Sequence, residues 1–326
     1  MTGRPSTLRR GLTVLLATLG LVAACSSTDE APFSSGPAEV VDDGGDTAAP
    51  TPTPDPACDD GNPRPSLGPP GELPAPGDLP AGSYMAEIRD RGVLRAAVGA
   101  DTLLFGYLNP ETDDLEGFDV EMARLVADAI FGDPDRVELI PVQSADRIAV
   151  IEDGTVDLVI KTMTINCQRW GAINFSTVYY ESGQRLLVGV DAAIDSVDDI
   201  VDERICAVAG TTSLDTLTAA SVTTVEVDSW TECLVAFQRG EAEGISTDDT
   251  ILAGLAAQDP YTEIVGPRFS DEPYGIGLPK DHPEFTEFVN AVLERARQDG
   301  TWSALYDTWL AETLGPSGGP PAPSYR

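Results

Sequence analysis

Apolar and polar residues alternate along residues 84–314 in blocks that predict strands separated by helices. Short apolar runs that are typical of buried strands include VLRAAVGA, VELIPVQ and VDLVIKTMT. Between the first two, FDVEMARLVADAIFG places its apolar residues at helical spacing. Strands that alternate with helices favour an α/β body with a largely parallel sheet.

The same alternation begins again after residue 184 and predicts a second α/β unit, with strand-like RLLVGV, RICAVAG and TVEVD separated by helical segments. The closing part, YGIGLPK followed by a long helix from FTEFVNAV to WLAETL, has no third sheet to join. We therefore expect it to return to the first unit. The prediction is one lobe from residues 84–183 and 274–314, a second lobe from 184–273, and a cleft between them in which a ligand binds.

Residues 1–25 have the pattern of a secretory signal. Three arginines precede GLTVLLATLGLVAA, an apolar core that is too short to span a membrane comfortably. The residues before Cys25, Val22-Ala23-Ala24, resemble a bacterial lipobox, in which the cysteine is lipidated and becomes the mature N-terminus. The pattern predicts a lipid anchor on the extracytoplasmic side of the cell membrane. The alternative is an ordinary signal peptide that is cleaved nearby.

Residues 26–83 are predicted to form a disordered tether. They hold 13 of the 26 prolines, together with Gly, Ser, Thr and Asp. Such a composition buries too little apolar surface to offset the entropy of ordering the chain. Residues 315–326 are predicted to form a flexible tail.

The charge balance argues against anionic partners. Lys and Arg number 20 and Asp and Glu number 54, which gives a formal net charge of −34. A surface this acidic argues against nucleic acid or an anionic membrane surface as the main partner.

Four cysteines remain besides Cys25, and four allow three pairings. Cys206 begins a predicted strand and Cys233 lies in a predicted helix of the same unit, so this pair is the favoured disulfide. Cys58 and Cys167 would then pair by exclusion and attach the tether to the body. A four-cysteine metal site is the alternative, but no CxxC spacing supports it, and no metal site is predicted.

The body, about residues 84–314, resembles the extracellular solute-binding proteins of polar amino-acid ABC importers, family 3. The matching pieces are GFDVEMARLVADAI, INFSTVYYESGQRLLV, VAGTTS, EAEGISTDDTIL, PYGIGL and the DGTW tail, in the expected order. The resemblance implies a two-lobed, type II periplasmic-binding-protein-like fold with a hinge and an interlobe cleft. It also implies that the protein binds a small polar amino acid and delivers it to an ABC permease.

The resemblance assigns residues to the two charged groups that every free amino acid carries. Arg169 matches the arginine that holds the α-carboxylate, for which a guanidinium offers two parallel donors. Thr162 and Thr164 match positions that bind the ligand through hydroxyl or backbone groups. Asp248 matches the aspartate that receives the α-ammonium, with Asp249 as the alternative if the register slips by one residue.

Further residues are expected to close the cleft or to line it. Thr211, Thr212 and Ser213 follow Gly210 in VAGTTS, a turn that closes over the ligand carboxylate in relatives and starts a helix. Phe105 matches an aromatic wall position, although it is equally consistent with the core. Asp101 lies near a family acid, but its local spacing is shifted.

The side-chain pocket of the resembling proteins predicts an acidic ligand. VQSADRIAVI resembles a form found in binders of acidic amino acids, with Ser144 and Arg147 facing the ligand side chain. Lys161 interrupts an otherwise apolar strand, and a buried lysine needs a negative partner. Glutamate or aspartate is therefore the expected ligand, with glutamine or asparagine open. The alternatives are an internal acid for Lys161 and surface exposure for Arg147.

Binding is favoured over catalysis, and no cofactor is predicted. The chain has one histidine, His282, far from the cleft motifs, and lacks a nucleophile elbow, a P-loop and metal-binding spacing. One alternative is an enzyme on the same scaffold, such as a dehydratase or a cell-wall lyase, which needs a poised general acid. Another is a sensor subunit that reports the ligand to a membrane receptor.

Overall fold

A computed structural model describes residues 64–326 of the protein. The predicted signal peptide, Cys25, Cys58 and the tether up to residue 63 lie outside the described residues. Among the described residues, no helix combines the length and the hydropathy needed to cross a membrane.

The first part of the described chain builds one sheet with helices on both faces, and a small hairpin-like sheet beside it. Its elements are α1 (Tyr84–Arg91), β1 (Leu94–Val98), β2 (Asp101–Thr102), β3 (Gly106–Leu108), β4 (Leu115–Glu116), α2 (Phe118–Phe131), β5 (Val137–Pro141), α3 (Ala149–Glu152), β6 (Leu158–Val159), α4 (Cys167–Ala172), β7 (Asn174–Phe175) and β8 (Tyr180–Ser182). A 3₁₀ turn, Ser144–Asp146, precedes α3.

The second part builds the other sheet, and the chain then returns to the first. Its elements are β9 (Gln184–Gly189), β10 (Arg204–Val208), α5 (Thr212–Ala219), β11 (Thr223–Val227), α6 (Trp230–Gln238), β12 (Gly244–Asp248), α7 (Asp249–Ala256), β13 (Thr262–Val265), β14 (Glu272–Tyr274), β15 (Gly277–Leu278), α8 (Pro283–Gln298), α9 (Thr301–Trp309) and α10 (Ala311–Leu314). Between β9 and β10, where the sequence predicts a helical segment, the chain forms a 3₁₀ turn, Val197–Ile200.

The fold is α/β and two-lobed. In lobe 1 the strand order is β5-β1-β6-β15-β7, and in lobe 2 it is β11-β10-β12-β9-β13. Strands β1, β5 and β6 are parallel, as are β10, β11 and β12, while β15, β9 and β13 run antiparallel to their neighbours. Each sheet has an apolar cluster on either face, so each lobe has its own core.

Two antiparallel strands connect the lobes. Strand β8 leads from lobe 1 into β9, and β14 leads from lobe 2 back to β15. They pair with each other through Glu272–Ser182 and Tyr274–Tyr180. A two-stranded connection of this kind is a natural hinge for rigid-body closure of the lobes.

The structure differs from the predicted tether over residues 64–83. Ser66 is buried, and its hydroxyl donates to the carbonyl of Phe175 at 2.6 Å. The Asn290 amide donates to the Ser66 hydroxyl at 2.8 Å, and Leu79 joins the core of lobe 1. Local composition does not report such long-range contacts, which is why proline content alone placed this segment in the tether.

The C-terminal residues also differ from the flexible tail that the sequence predicts. Tyr325 forms a parallel β-bridge with Ser66, and the Arg326 guanidinium lies 5.2 Å from the centre of the Trp170 ring. The predicted long C-terminal helix is divided, because Gly300 adopts a left-handed conformation with φ of +86° and separates α8 from α9.

The Cys206–Cys233 disulfide is present in lobe 2, with the two residues 27 positions apart in sequence. It links the interior strand β10 to α6, and both cysteines belong to the apolar cluster that includes these two elements. Cys167 lies exposed at the start of α4. Its predicted partner Cys58 is outside the described residues, so that pair stays a prediction.

Removal of the lobe 2 disulfide should destabilise the protein. Closing a loop of this length restricts the unfolded chain by about 3–4 kcal/mol in the chain-entropy account. The double variant Cys206→Ala/Cys233→Ala should therefore lose about that much free energy of unfolding. Urea unfolding of the variant beside the native protein measures the loss, and coincident unfolding curves would contradict the expectation.

Candidate functional site

A polar cavity lies between the two lobes. Its volume of about 10 Å³ leaves room for roughly one water molecule. Lobe 1 and lobe 2 both contribute to its lining, which consists of Ser144, Arg147, Thr162, Thr164, Arg169, Thr211, Thr212, Ser213, Trp230, Thr247, Asp248 and Ile251. Eight of the ten residues that the sequence predicts for the ligand site lie in this lining.

Arg169 reaches the cavity from the first turn of α4. Asn166 caps this helix by accepting the Arg169 backbone N–H at 2.9 Å. The guanidinium donates to the carbonyl of Thr164 at 2.7 Å and, across the cleft, to the carbonyl of Gly210 at 3.2 Å. Burial lowers the pKa of Arg169, and the charges of Glu272 and Asp248 oppose that shift.

Arg147 is a second guanidinium in the same cavity, and its side chain is buried, not exposed on a helix surface. It donates to the carbonyls of Ser144 at 2.8 Å, Lys161 at 3.1 Å and Gly210 at 3.0 Å. Burial and then the charge of Arg169 lower the pKa of Arg147 to about 9. Three of its five N–H groups donate to these carbonyls, so two can serve another acceptor.

Asp248 is the carboxylate of the cavity. Its Oδ2 accepts the Tyr274 hydroxyl at 2.6 Å, whereas its Oδ1 is buried without a hydrogen-bond partner among the described residues. Burial, followed by the charge of Glu272, raises the pKa of Asp248 to about 8. Asp249 points elsewhere, because it accepts from Arg268 at 2.6 Å and from Ser182 at 2.7 Å.

The segment that carries the threonines of lobe 1 is held by a buried acid. Asp119, at the start of α2, accepts the Thr162 backbone N–H at 2.8 Å and the Tyr179 hydroxyl at 2.7 Å. These bonds hold Thr162 in a left-handed conformation with φ of +39°. Burial raises the pKa of Asp119 to about 6. The strained turn orients the 162–164 backbone toward the cavity.

The VAGTTS turn brings lobe 2 into the cavity. Thr211 caps α5 by accepting the Leu214 N–H at 3.2 Å, and its own hydroxyl donates to Val208 at 2.7 Å. Gly210 has φ of +71°, and a Cβ added there would lie 2.6 Å from the Cα of Ala145 in lobe 1. Only glycine allows the lobes to approach this closely here.

Lys161 does not line the cavity. In place of the predicted ligand carboxylate, the structure shows an internal acid beside its ammonium. Its ammonium lies 3.3 Å from the carboxylate of Asp101, and both belong to lobe 1. The other Asp101 oxygen accepts the backbone N–H of Trp230 in lobe 2 at 2.8 Å. The buried lysine is therefore neutralised internally, and its acid also caps the start of α6 across the cleft.

Phe105 is a core residue and not a cavity wall. It is fully buried and packs edge to face against Phe118, Tyr180 and Tyr274. The aromatic side chain in the cavity is Trp230, at the start of α6. Sequence reasoning missed it, although the serine before Trp230 and the glutamate two residues after it form a capping box that marks this helix start.

The remaining missed residues of the lining come from lobe 2. They are Thr247, which precedes Asp248 in β12, and Ile251 in α7, whereas Ser213 belongs to the predicted VAGTTS turn. Among residues 64–326, no group of three or more His, Cys, Asp or Glu side chains could hold a metal ion.

The sequence of this chain matches a known protein family and several known relatives. The bacterial extracellular solute-binding proteins, family 3, match residues 94–312. The ABC transporter glutamine-binding protein GlnH of Bacillus subtilis (strain 168) is 33% identical over 231 residues, covering 70% of this chain and 85% of the relative. The glutamate-binding protein GluB of Corynebacterium glutamicum is 33% identical over 257 residues, covering 74% of this chain and 85% of the relative.

A solved structure is also similar. The structure of an ancestral arginine-binding protein bound to glutamine has a TM-score of 0.64 and 31% identity, covering 68% of this chain and 98% of that one. The family match spans both lobes, the hinge and every residue of the cavity lining. This chain therefore belongs to the bacterial extracellular solute-binding proteins of family 3.

Proposed function

We propose that this protein binds a free amino acid with an acidic side chain, glutamate or aspartate, in the interlobe cavity. The observation that carries the proposal is the charge of the lining, which holds two guanidiniums and one carboxylate with an unpartnered buried oxygen. The names of similar proteins, a glutamine-binding and a glutamate-binding protein, support an amino-acid ligand.

Each charged group of the ligand has a counterpart of opposite charge. The α-carboxylate binds Arg169, and the α-ammonium binds Asp248 through Oδ1, as the resemblance to the family implies. Such pairing offsets the cost of removing both groups from water. Arg147 then serves the side-chain carboxylate with its two remaining N–H groups. A ligand with net charge −1 neutralises the lining, whereas a zwitterionic glutamine leaves one positive charge.

Binding requires the lobes to open and close. A cavity with room for about one water does not admit an amino acid, so the cleft widens for entry and recloses around the ligand. Both arginines already donate to the Gly210 carbonyl of the opposite lobe, which places the ligand-binding cations at the closing surface. The closed form is the one presented to the permease of an ABC importer. Lipidation at Cys25 would keep the protein at the extracytoplasmic face of the membrane.

An enzyme on the same scaffold is the second candidate, because Asp248 holds a proton at neutral pH and a catalytic acid needs one. Incubation of the purified protein with glutamate, aspartate, glutamine and asparagine, followed by chromatography, separates the two. Recovery of each amino acid unchanged excludes turnover of these four ligands, and a new product supports catalysis.

Arg147→Met should weaken glutamate binding more than glutamine binding, by roughly tenfold or more, because a charge-assisted hydrogen bond to the ligand carboxylate is lost. Isothermal titration calorimetry with both ligands measures the ratio, and damage to the fold would lower both affinities together. Arg136→Met is the control, since Arg136 is an exposed arginine outside the cavity. An equal loss for both ligands in a variant whose thermal unfolding matches that of the native protein would refute the assignment of Arg147.

Ligand binding at pH 7 should release a proton from Asp248. The pKa of about 8 is that of the group without an ammonium beside it, and the ammonium favours the ionised carboxylate. Affinity should therefore rise between pH 6 and pH 8. Calorimetry in Tris and in phosphate, which differ in ionisation enthalpy, should give different heats for the native protein. Asp248→Asn should bind weakly with no such difference, and buffer-independent heats in the native protein would contradict the expectation.

Gly210→Ala should reduce ligand affinity more than tenfold, because its Cβ would collide with Ala145 when the lobes close. Gly240→Ala is a matched control, since Gly240 has φ of +70° with no atom within 4 Å of the added Cβ. Both variants introduce similar backbone strain of about 1–2 kcal/mol. Thermal unfolding should therefore change alike in both, while calorimetry should find the affinity loss only in Gly210→Ala. Native affinity in both variants would show that this contact does not limit closure.

A further inference from the structure

We propose that Glu272 is a positioning residue that couples lobe closure to the binding of the ligand ammonium, an inference that rests on the proposed function. Glu272 begins β14, one of the two hinge strands, and its side chain is 3% exposed. It does not line the cavity. It acts through groups that do.

The first support is the set of hydroxyls that Glu272 accepts. Its Oε2 accepts the hydroxyl of Thr164 in lobe 1 at 2.5 Å and that of Thr212 in lobe 2 at 2.7 Å. Its Oε1 accepts the hydroxyl of Ser270, just before β14, at 2.6 Å. One carboxylate oxygen on the hinge therefore holds a cavity-lining residue from each lobe.

All three hydroxyls can donate to Glu272 only when the lobes are closed. Thr164 stays close to β14 through the Ile165 N–H, which donates to Pro273 at 2.8 Å, and through its bridge to Tyr274. Thr212 moves with α5 and lobe 2. Opening the cleft consequently breaks the Thr212 hydrogen bond and keeps the other two, so this bond adds free energy to the closed state alone.

The second support is the position of the negative charge relative to Asp248. After burial, Glu272 is the largest influence that raises the pKa of Asp248, and Asp249 of α7 adds to it. Tyr274 of β14 and Arg147 of lobe 1 act in the opposite direction, and Arg169 also faces Asp248. The negative charge of Glu272 therefore favours a cation at the Asp248 carboxylate, which here is the ligand α-ammonium.

A purely structural role makes a different prediction. A residue that only holds the hinge strand would affect ligand affinity equally at every pH. A residue that also sets the proton affinity of Asp248 would change the pH dependence, because removal of its charge lets Asp248 ionise at lower pH. The carboxamide of glutamine keeps the shape of Glu272 and removes the charge.

The experiment is calorimetric titration of the purified protein with glutamate at pH 6.0 and pH 8.5, for the native protein, Glu272→Gln, Thr212→Val and the double variant. At pH 8.5, where Asp248 is largely ionised, each single variant should bind roughly tenfold more weakly. The double variant should bind much less than a hundredfold more weakly, because both substitutions remove the same contact.

The pH dependence separates the two single variants. Glu272→Gln should lose less glutamate affinity relative to the native protein at pH 6.0 than at pH 8.5, because Asp248 gives up its proton more easily in this variant. The deficit of Thr212→Val should stay constant, because that substitution changes no charge. Native affinity in Glu272→Gln would overturn the inference. So would losses of affinity that do not depend on pH in either single variant and that add up in the double variant.

Failure of the proposed function has a different signature. If the native protein binds none of glutamate, aspartate, glutamine and asparagine, the proposed function is wrong and this inference falls with it. If glutamine binds in place of glutamate, only the acidic ligand is wrong, and the same titrations with glutamine decide the role of Glu272. Thermal unfolding of each variant checks that it is folded, and Thr212→Val tests the contact from the other side should Glu272→Gln fail to fold.

Discussion

Charge buried between two lobes is the constraint on which this structure depends. Arg147 and Asp248 are buried and Arg169 is partly buried where the lobes meet, and each needs partners that cross the gap or come from a ligand. The Gly210 carbonyl accepts from both arginines, so one backbone group of lobe 2 satisfies cations of lobe 1. Closure is favourable only where this polar complementarity is met, and in the proposed function a charged ligand meets it.

The resemblance to family 3 named cavity residues that lie on short local elements. Arg169 lies in the first turn of a capped helix, Thr211 caps α5, and Asp248 ends a strand that runs directly into α7, so the position of each depends on its own part of the chain. The disulfide could be predicted for the same reason, because β10 and α6 are neighbouring elements of one sheet unit.

Other residues could not be predicted because their environment is made by distant parts of the chain. Lys161 was expected to need a negative partner, and it has one, but the acid is Asp101, 60 residues earlier in sequence. Phe105 faces the core because α2 and the hinge strands pack around it. The order of residues 64–83 likewise depends on Asn290 and the C-terminal residues, which no local composition reveals.

The proton on Asp248 links these observations. In the closed arrangement, burial and the neighbouring acids favour the neutral carboxyl up to a pH of about 8, against 3.8 for the ordinary side chain. This group therefore stabilises the closed form at low pH, and that stabilisation is lost as pH rises through 8. A proton and a ligand ammonium are alternative ways of neutralising the same buried oxygen. In the proposed function the ammonium comes with a carboxylate for Arg169, so the ligand would satisfy two charges where the proton satisfies one, and that difference would favour closure around an amino acid.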